Sequence, residues 1–292
     1  MFLPRFSLVA RAWFAIACAG TELLAAPPRL PPTEPPPTRL VTYKKVGDRE
    51  LQLHLFQPPG WKAGGKFPAL LAIHGGGWSG GTPAVEYFLS AEMAQRGMVA
   101  FSRNRLASGK VEIADCVKDA RSAVRYLRAH VAELGLDPDR IAVAGGSAGG
   151  HLAAGTALFD EINEATDNLA ISPVPNALIL RYAVLDTSKE GYGNGRLGTH
   201  WRELSPLHRV GAGTPPAILF HGTADTTAPY KGALAFRDAM LAAGNRCDLV
   251  TAEGAGHTHV RLDPRLAADA VDRTAVFLHS LGWPINLSQA SQ

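Results

Sequence analysis

Ile141-Ala142-Val143-Ala144-Gly145-Gly146-Ser147-Ala148-Gly149 starts as an unbroken apolar run and ends as a serine framed by glycines. Without polar alternation, Ile141 to Ala144 reads as a strand covered on both faces. Ala148 to Phe159 reads as a helix. The G-x-S-x-G pattern between them predicts a sharp strand-to-helix turn, with glycines that tolerate crowding. Such a turn lifts the Ser147 hydroxyl out of the sheet and aims helix N-terminal N–H groups at any oxyanion formed beside it. Because a serine hydroxyl is a poor nucleophile until a base takes its proton, the motif implies partners elsewhere in the chain.

Outward from this stretch the pattern repeats. Ala69 to Ile73, Met98 to Phe101, Ala177 to Leu180 and Ala217 to Phe220 are further short apolar runs. Helical patterns fall between them: Pro83 to Gln95, Ile113 to Leu134, Lys231 to Ala243 and Pro264 to Leu281. The second is the clearest, with Cys116, Val117, Ala120, Val124 and Leu127 at three- and four-residue steps. Gly135 stops it, and Asp137-Pro138 is expected to turn the chain into the next strand. Upstream, Val41 to Val46 and Leu51 to Phe56 alternate around Gly47-Asp48, the mark of an antiparallel pair at a sheet edge. Strands alternating with helices predict an α/β fold, a mostly parallel twisted sheet of about eight strands with helices on both faces. Ligands bind such sheets beyond the C-terminal strand ends. The Gly-rich, charged segment from Asp186 to Arg209 is too long for a simple turn and is expected to form part of the cleft wall.

The partners of Ser147 lie at strand ends. His74-Gly75-Gly76-Gly77-Trp78 follows one apolar run; its glycines let backbone approach a substrate and leave N–H groups to donate to a tetrahedral oxyanion. His221-Gly222-Thr223-Ala224-Asp225 follows another, and Gly254-Ala255-Gly256-His257 follows Cys247 to Thr251. Ser147, Asp225 and His257 thus stand in the chain order of a nucleophile, acid and base triad. His259 is the rival base; His257 is preferred because the glycine before it leaves room for the ring to swing. His74, His151 and His221 are read as loop braces. Asp115 and Asp119, a turn apart on a helix, are assigned a surface role or a pairing with Arg105. No metal-ligand spacing connects His200 or His208 to other residues, and no cofactor or metal is called for. Trp78, Tyr192, Trp201 and Tyr230 are candidates for the pocket lining, Trp78 and Tyr230 foremost, with packing in the core the equal alternative for each.

In combination, HGGGW, GGSAGGHLA, HGTAD and GAGH resemble the alpha/beta-hydrolase superfamily, in particular its HGGG-type esterases of the hormone-sensitive-lipase-like kind and the small bacterial acetylxylan or feruloyl esterases. The resemblance covers roughly Leu40 to Leu281. It implies an alpha/beta-hydrolase fold with no large cap domain, and an oxyanion hole made by the N–H groups of Gly76, Gly77 and Ala148. Three departures point away from the lipases: Asn104 where Tyr is common before the Arg-Leu pair, Gly146 where many relatives carry Asp, and Thr258-His259 where Gly-Phe is common. The implied activity is that of a serine carboxylesterase acting on short-acyl esters, with acetyl or feruloyl esters of plant polysaccharide as substrates. A serine peptidase of the prolyl-peptidase kind and a non-enzymatic binding protein on the same fold are the alternatives.

The chain has 292 residues, 46% hydrophobic, enough for a sizeable core. Its net charge of +3, without a long basic run, excludes nucleic acid as the expected partner. Arg5 and Arg11 flank the apolar stretch from Ala12 to Gly20, which is too short to span a bilayer, and Ala17-Cys18-Ala19 and Leu24-Ala25-Ala26 have the form of cleavage sites. Residues 1–26 are therefore expected to be a signal peptide, with the mature protein secreted or periplasmic and free of transmembrane spans. Lipid anchoring through Cys18 is the lesser reading, since Ala15-Ile16-Ala17 makes a poor lipobox. Residues 27–39, with Pro27 to Pro37 at their heart, read as a stiff linker; residues 40–283 as the catalytic domain; residues 284–292 as a tail. Cys116 and Cys247 are expected to be buried thiols rather than a disulfide.

Overall fold

The computed structural model describes residues 35–103 and 112–288. The chain divides into a unit of Met1–Pro32 and a unit of Thr33–Gln292 that holds all of these residues. The expected signal peptide, most of the linker and the Asn104-Arg105-Leu106 stretch lie outside the described residues. Among those described, no helix is long and apolar enough to cross a membrane.

Eight strands form one sheet: β1 (Arg39–Val46), β2 (Arg49–Phe56), β3 (Phe67–Ile73), β4 (Val99–Arg103), β5 (Leu136–Gly146), β6 (Ala177–Arg181), β7 (Ala217–Gly222) and β8 (Cys247–Ala252). Their order is β1-β2-β4-β3-β5-β6-β7-β8. The alternating hairpin β1–β2 is antiparallel and β2 meets β4 antiparallel, while every pairing from β4 to β8 is parallel. The helices are α1 (Tyr87–Gln95), α2 (Ile113–Ala129), α3 (Val131–Leu134), α4 (Ala148–Leu158), α5 (Asn194–Leu197), α6 (Tyr230–Ala242), α7 (His259–Leu262) and α8 (Pro264–Ser280). Pro83–Glu86, expected as the first turn of α1, is a 3-10 turn capped by the Thr82 hydroxyl. Strand β5 also begins earlier than expected. Leu136 already pairs with Phe67, and the ladder slips by a register shift before resuming at Ala69 and Ile141. Pro68 and Pro138 supply no N–H there, so the pairing is interrupted and the turn-like Asp137-Pro138 is carried within the strand.

The continuous apolar runs are continuous because both faces are covered. Leu71, Ile73, Val143, Leu180 and Leu219 pack with Val117 and Val124 of α2, Leu152 of α4 and Phe236 of α6. Their sequence neighbours Leu70, Ala72, Ala144, Ile179 and Phe220 pack on the other face with Leu89 and Met93 of α1 and Val271 and Leu278 of α8. Each fully buried Leu, Ile or Phe contributes about 1.5–3 kcal/mol. Trp283 and Ile285 are buried as well, and the Asn286 N–H donates to the Arg96 carbonyl. The fold therefore runs past the expected boundary at 283. Cys116 and Cys247 are both buried and no disulfide joins them; burial pushes the Cys247 thiol up to about 12.

After β3 the chain crosses to β4 on one side, and after β4 it returns to β5 on the other. The ends of β3 and β5 are therefore the switch point of the sheet, where a crevice must open. Both glycine motifs fall there.

Candidate active site

Ser147 follows the last residue of β5 and precedes the first of α4, with φ of 56° and ψ of −125°. Side-chain-bearing residues avoid this region, so the conformation has to be held from outside. Three bonds hold it: the Ser147 N–H donates to the Arg181 carbonyl, and the Ser147 carbonyl accepts from His151 and Val184 N–H groups, at 3.1 to 3.2 Å. The flanking glycines have steric reasons. A Cβ on Gly149 would strike the carbonyls of Ile73 and His74, and one on Gly146 would lie 2.6 Å from the Tyr182 hydroxyl. Tyr182 thus occupies the space a side chain at position 146 would need, which accounts for glycine at that departure.

The structure brings Ser147, Asp225 and His257 together from three strand ends. His257 Nε2 lies 2.9 Å from Ser147 Oγ, and His257 Nδ1 lies 2.8 Å from Asp225 Oδ2. The Asp225 carboxylate is fully buried, and its Oδ1 accepts from the N–H groups of Thr227 and Ala228 at 2.9 Å. His221 Nε2 lies 3.2 Å from Oδ2 and 2.7 Å from the Ala228 carbonyl. Burial alone would raise the Asp225 pKa; the hydrogen bonds from His221, His257 and Ala228 outweigh it and hold the carboxyl well below the usual range. An ionised acid on Nδ1 leaves Nε2 as the atom that accepts the serine proton. His259 does not compete: it is buried, its Nδ1 faces the Gly256 carbonyl at 3.1 Å, and burial lowers its pKa.

Gly76 and Gly77 have φ of 123° and 58°, which the backbone of a larger residue rarely adopts. The N–H groups of Gly76, Gly77 and Ala148 donate to no other group among the described residues. The Gly76 carbonyl closes the loop instead, accepting from Ser79 and Gly80 at 3.1 and 2.8 Å.

A cavity of about 370 Å³ opens over Ser147 and His257; Tyr182 and Tyr192 form part of its wall. Two expected lining residues are elsewhere. Trp78 is buried behind the glycine loop, where its indole N–H donates to His151 Nδ1 at 3.2 Å and its ring packs on Tyr192. Its φ is 56°, in the left-handed region. Tyr230 stands at the start of α6 with its hydroxyl 2.6 Å from Thr251 Oγ1. Trp201 packs on His208. The 186–209 segment reaches the site through Tyr192 and through Arg196, whose Nη1 donates to the Gly77 carbonyl at 2.6 Å. His74 donates to the Gly75 carbonyl and His151 Nε2 to the Leu204 carbonyl, both at 2.7 Å, so both brace loops. Asp119 pairs with Lys44 at 2.6 Å, and Asp115 with Lys118 at 2.9 Å. Among the described residues no cluster of His, Cys, Asp or Glu is arranged to hold a metal ion.

Four residues at the site escape sequence reasoning: Tyr182, Thr227, Arg196 and Arg261. None lies in a motif. One physical signature unites the site, however. Of the five described non-glycine residues with positive φ, Ser147, Tyr182 and Thr258 line the cavity and Trp78 backs it.

The chain is similar to known esterases. A family model described as BD-FAE matches residues 53–188, and one for TAP-like proteins matches residues 200–277. The chain is 42% identical to Thermogutta terrifontis esterase 2 phosphoramylated by tabun, with a TM-score of 0.81, covering 87% of this chain and 98% of that one. The propionate-bound form of the same esterase is 40% identical, with a TM-score of 0.80, over 86% of this chain and 97% of that one. A probable isoprenylcysteine alpha-carbonyl methylesterase of Arabidopsis thaliana is 28% identical over 255 residues, 77% of this chain and 52% of that protein. The chain spans about half to three fifths of the length of the first curated relatives it matches. With this fold, and with a solved esterase matched over nearly its whole length, the chain belongs to the esterases of the alpha/beta-hydrolase superfamily.

Proposed function

We propose that this protein is a serine carboxylesterase that cleaves short-acyl esters through a covalent acyl-enzyme on Ser147. The observation that carries the reading is the hydrogen-bond chain from Ser147 Oγ to His257 Nε2 and from His257 Nδ1 to Asp225 Oδ2. Ser147 Oγ attacks the ester carbonyl as His257 takes its proton, and Asp225 stabilises the imidazolium. The oxyanion meets the N–H groups of Gly76, Gly77 and Ala148, each such donor being worth about 10²–10³ in rate. His257 then protonates the leaving alcohol, and a water, deprotonated by the same ring, releases the acid.

The small cavity supports a short acyl group, as does the propionate-bound relative. Among natural esters we favour acetyl or feruloyl groups on plant polysaccharide, the latter supported by Tyr192 in the cavity lining. The sequence of residues 1–26 supports a secreted or periplasmic enzyme. The test compares p-nitrophenyl esters of graded acyl length with a proline-containing amide. Turnover of the short esters, its loss in Ser147→Ala, and phosphorylation of Ser147 by paraoxon are expected. Ester turnover retained in Ser147→Ala overturns the mechanism, and faster amide cleavage favours a peptidase.

A further inference from the structure

The cavity lining joins two kinds of segment: the oxyanion-loop glycines Gly75, Gly76 and Gly77, and the segments next to Asp225 and His257 in the chain, which supply Thr227, Thr258 and Arg261. Given the roles proposed above, on which this inference rests, the ester lies in one direction. The carbonyl oxygen points to the glycine loop, and the leaving oxygen must sit within reach of His257 Nε2, which protonates it. The alcohol portion of the substrate therefore runs along the Thr227, Thr258 and Arg261 side.

Arg261 is the one permanently charged residue among the described residues of the lining. It sits a single helical turn beyond His257, on α7, where its N–H donates to the Thr258 carbonyl at 2.9 Å. Its side chain is exposed and makes no hydrogen bond or ion pair with any described residue. Other arginines around the site are spent: Arg181 is paired with the buried Glu86, and Arg196 is bonded to the Gly77 carbonyl. The hydroxyls of Thr227 and Thr258 likewise have no partner among the described residues. A solvated surface arginine is the bland alternative, but it does not explain why an unpaired cation and two unpaired hydroxyls share the leaving-group wall.

We propose that this wall is a subsite for an alcohol that carries a carboxylate, a hydroxy acid or sugar acid whose hydroxyl is acylated. Arg261 pairs with the carboxylate, and Thr227 and Thr258 bond to neighbouring polar groups of the alcohol. In the reaction the ester C–O bond breaks; the acyl carbon gains the hydroxyl of water and the leaving oxygen gains a proton through His257.

The experiment compares 4-acetoxybenzoate with the neutral, similarly shaped 4-acetoxybenzamide, using wild type, Arg261→Gln and Arg261→Lys. Arg261→Gln should lower kcat/KM for the charged ester about fivefold more than for the amide-bearing ester, the effect of roughly 1 kcal/mol. Arg261→Lys should keep most of the difference, and about 0.5 M NaCl should shrink it. Equal losses on both esters, or no loss on either, overturn the subsite while leaving the esterase reading intact. Wild-type protein that cleaves neither ester overturns both readings.

Discussion

Asp225 accepts three hydrogen bonds, with His221 Nε2 a further contact at 3.2 Å, on a carboxylate with no solvent contact. Replacing it by Asn would set an amide N–H against His257 Nδ1 or force the other ring tautomer, which disables Nε2 as a base. Asp225→Asn should therefore lower kcat on p-nitrophenyl acetate by about 10⁴-fold, as in other serine triads, while circular dichroism stays native. A loss below about tenfold would show that the ring is oriented by something else. Ser147, Asp225 and His257 were legible in the sequence because each falls in a short glycine-containing motif soon after a strand. Trp78 also falls in such a motif and was misread. Residue type alone said aromatic at a glycine loop, whereas the fold sets His151 and Tyr192 beside the ring and buries it. Arg261 and Tyr182 had no local signal, since their importance comes from what the fold sets beside them.

At the scale of an element, α4 couples the nucleophile turn to the loop wall through His151. The ring is fully buried, with Nε2–H on the Leu204 carbonyl and Nδ1 accepting from Trp78, so only the neutral ring fits. Burial, opposed weakly by the Leu204 carbonyl, brings its pKa down from 6.5 to about 4. The unfolded chain therefore takes up this proton first as pH falls. Stability is complete above about 6.5 and declines down to about 4, by about 3 kcal/mol from this group. Asp225 acts only lower, because its carboxyl is held beneath its ordinary 3.8. Urea unfolding across this range should show the slope, and His151→Gln should flatten it; an unchanged slope in the variant would assign the acid sensitivity to other groups. Most element boundaries were readable from apolar periodicity and stop residues. The start of β5 was not, because Asp137-Pro138 carries turn chemistry and the neighbouring strand overrides it.

Across the whole molecule, the class of fold was readable but the strand order was not, since crossovers depend on which faces pack rather than on any residue. One contact illustrates this. Glu86, after the oxyanion loop, and Arg181, at the end of β6, form a buried ion pair. Neither falls in a motif, yet together they tie the turn beyond β3 to the strand whose carbonyl holds Ser147. Removing one partner leaves a buried charge, so Glu86→Gln or Arg181→Met should each cost about 3–5 kcal/mol in denaturant unfolding. The double variant should cost less than the two single costs summed. Strict additivity would mean that the pair is not coupled.

The backbone at Ser147 has a consequence for how this protein is able to evolve. Glycine alone adopts φ of 56° and ψ of −125° without penalty, so the residue that best suits the turn is one that cannot react. Ser147→Gly should be inactive and more stable than Ser147→Ala by about 1 kcal/mol in matched thermal unfolding. Catalysis and durability are in opposition at this one position, and every lineage that keeps the serine gives up robustness to do so.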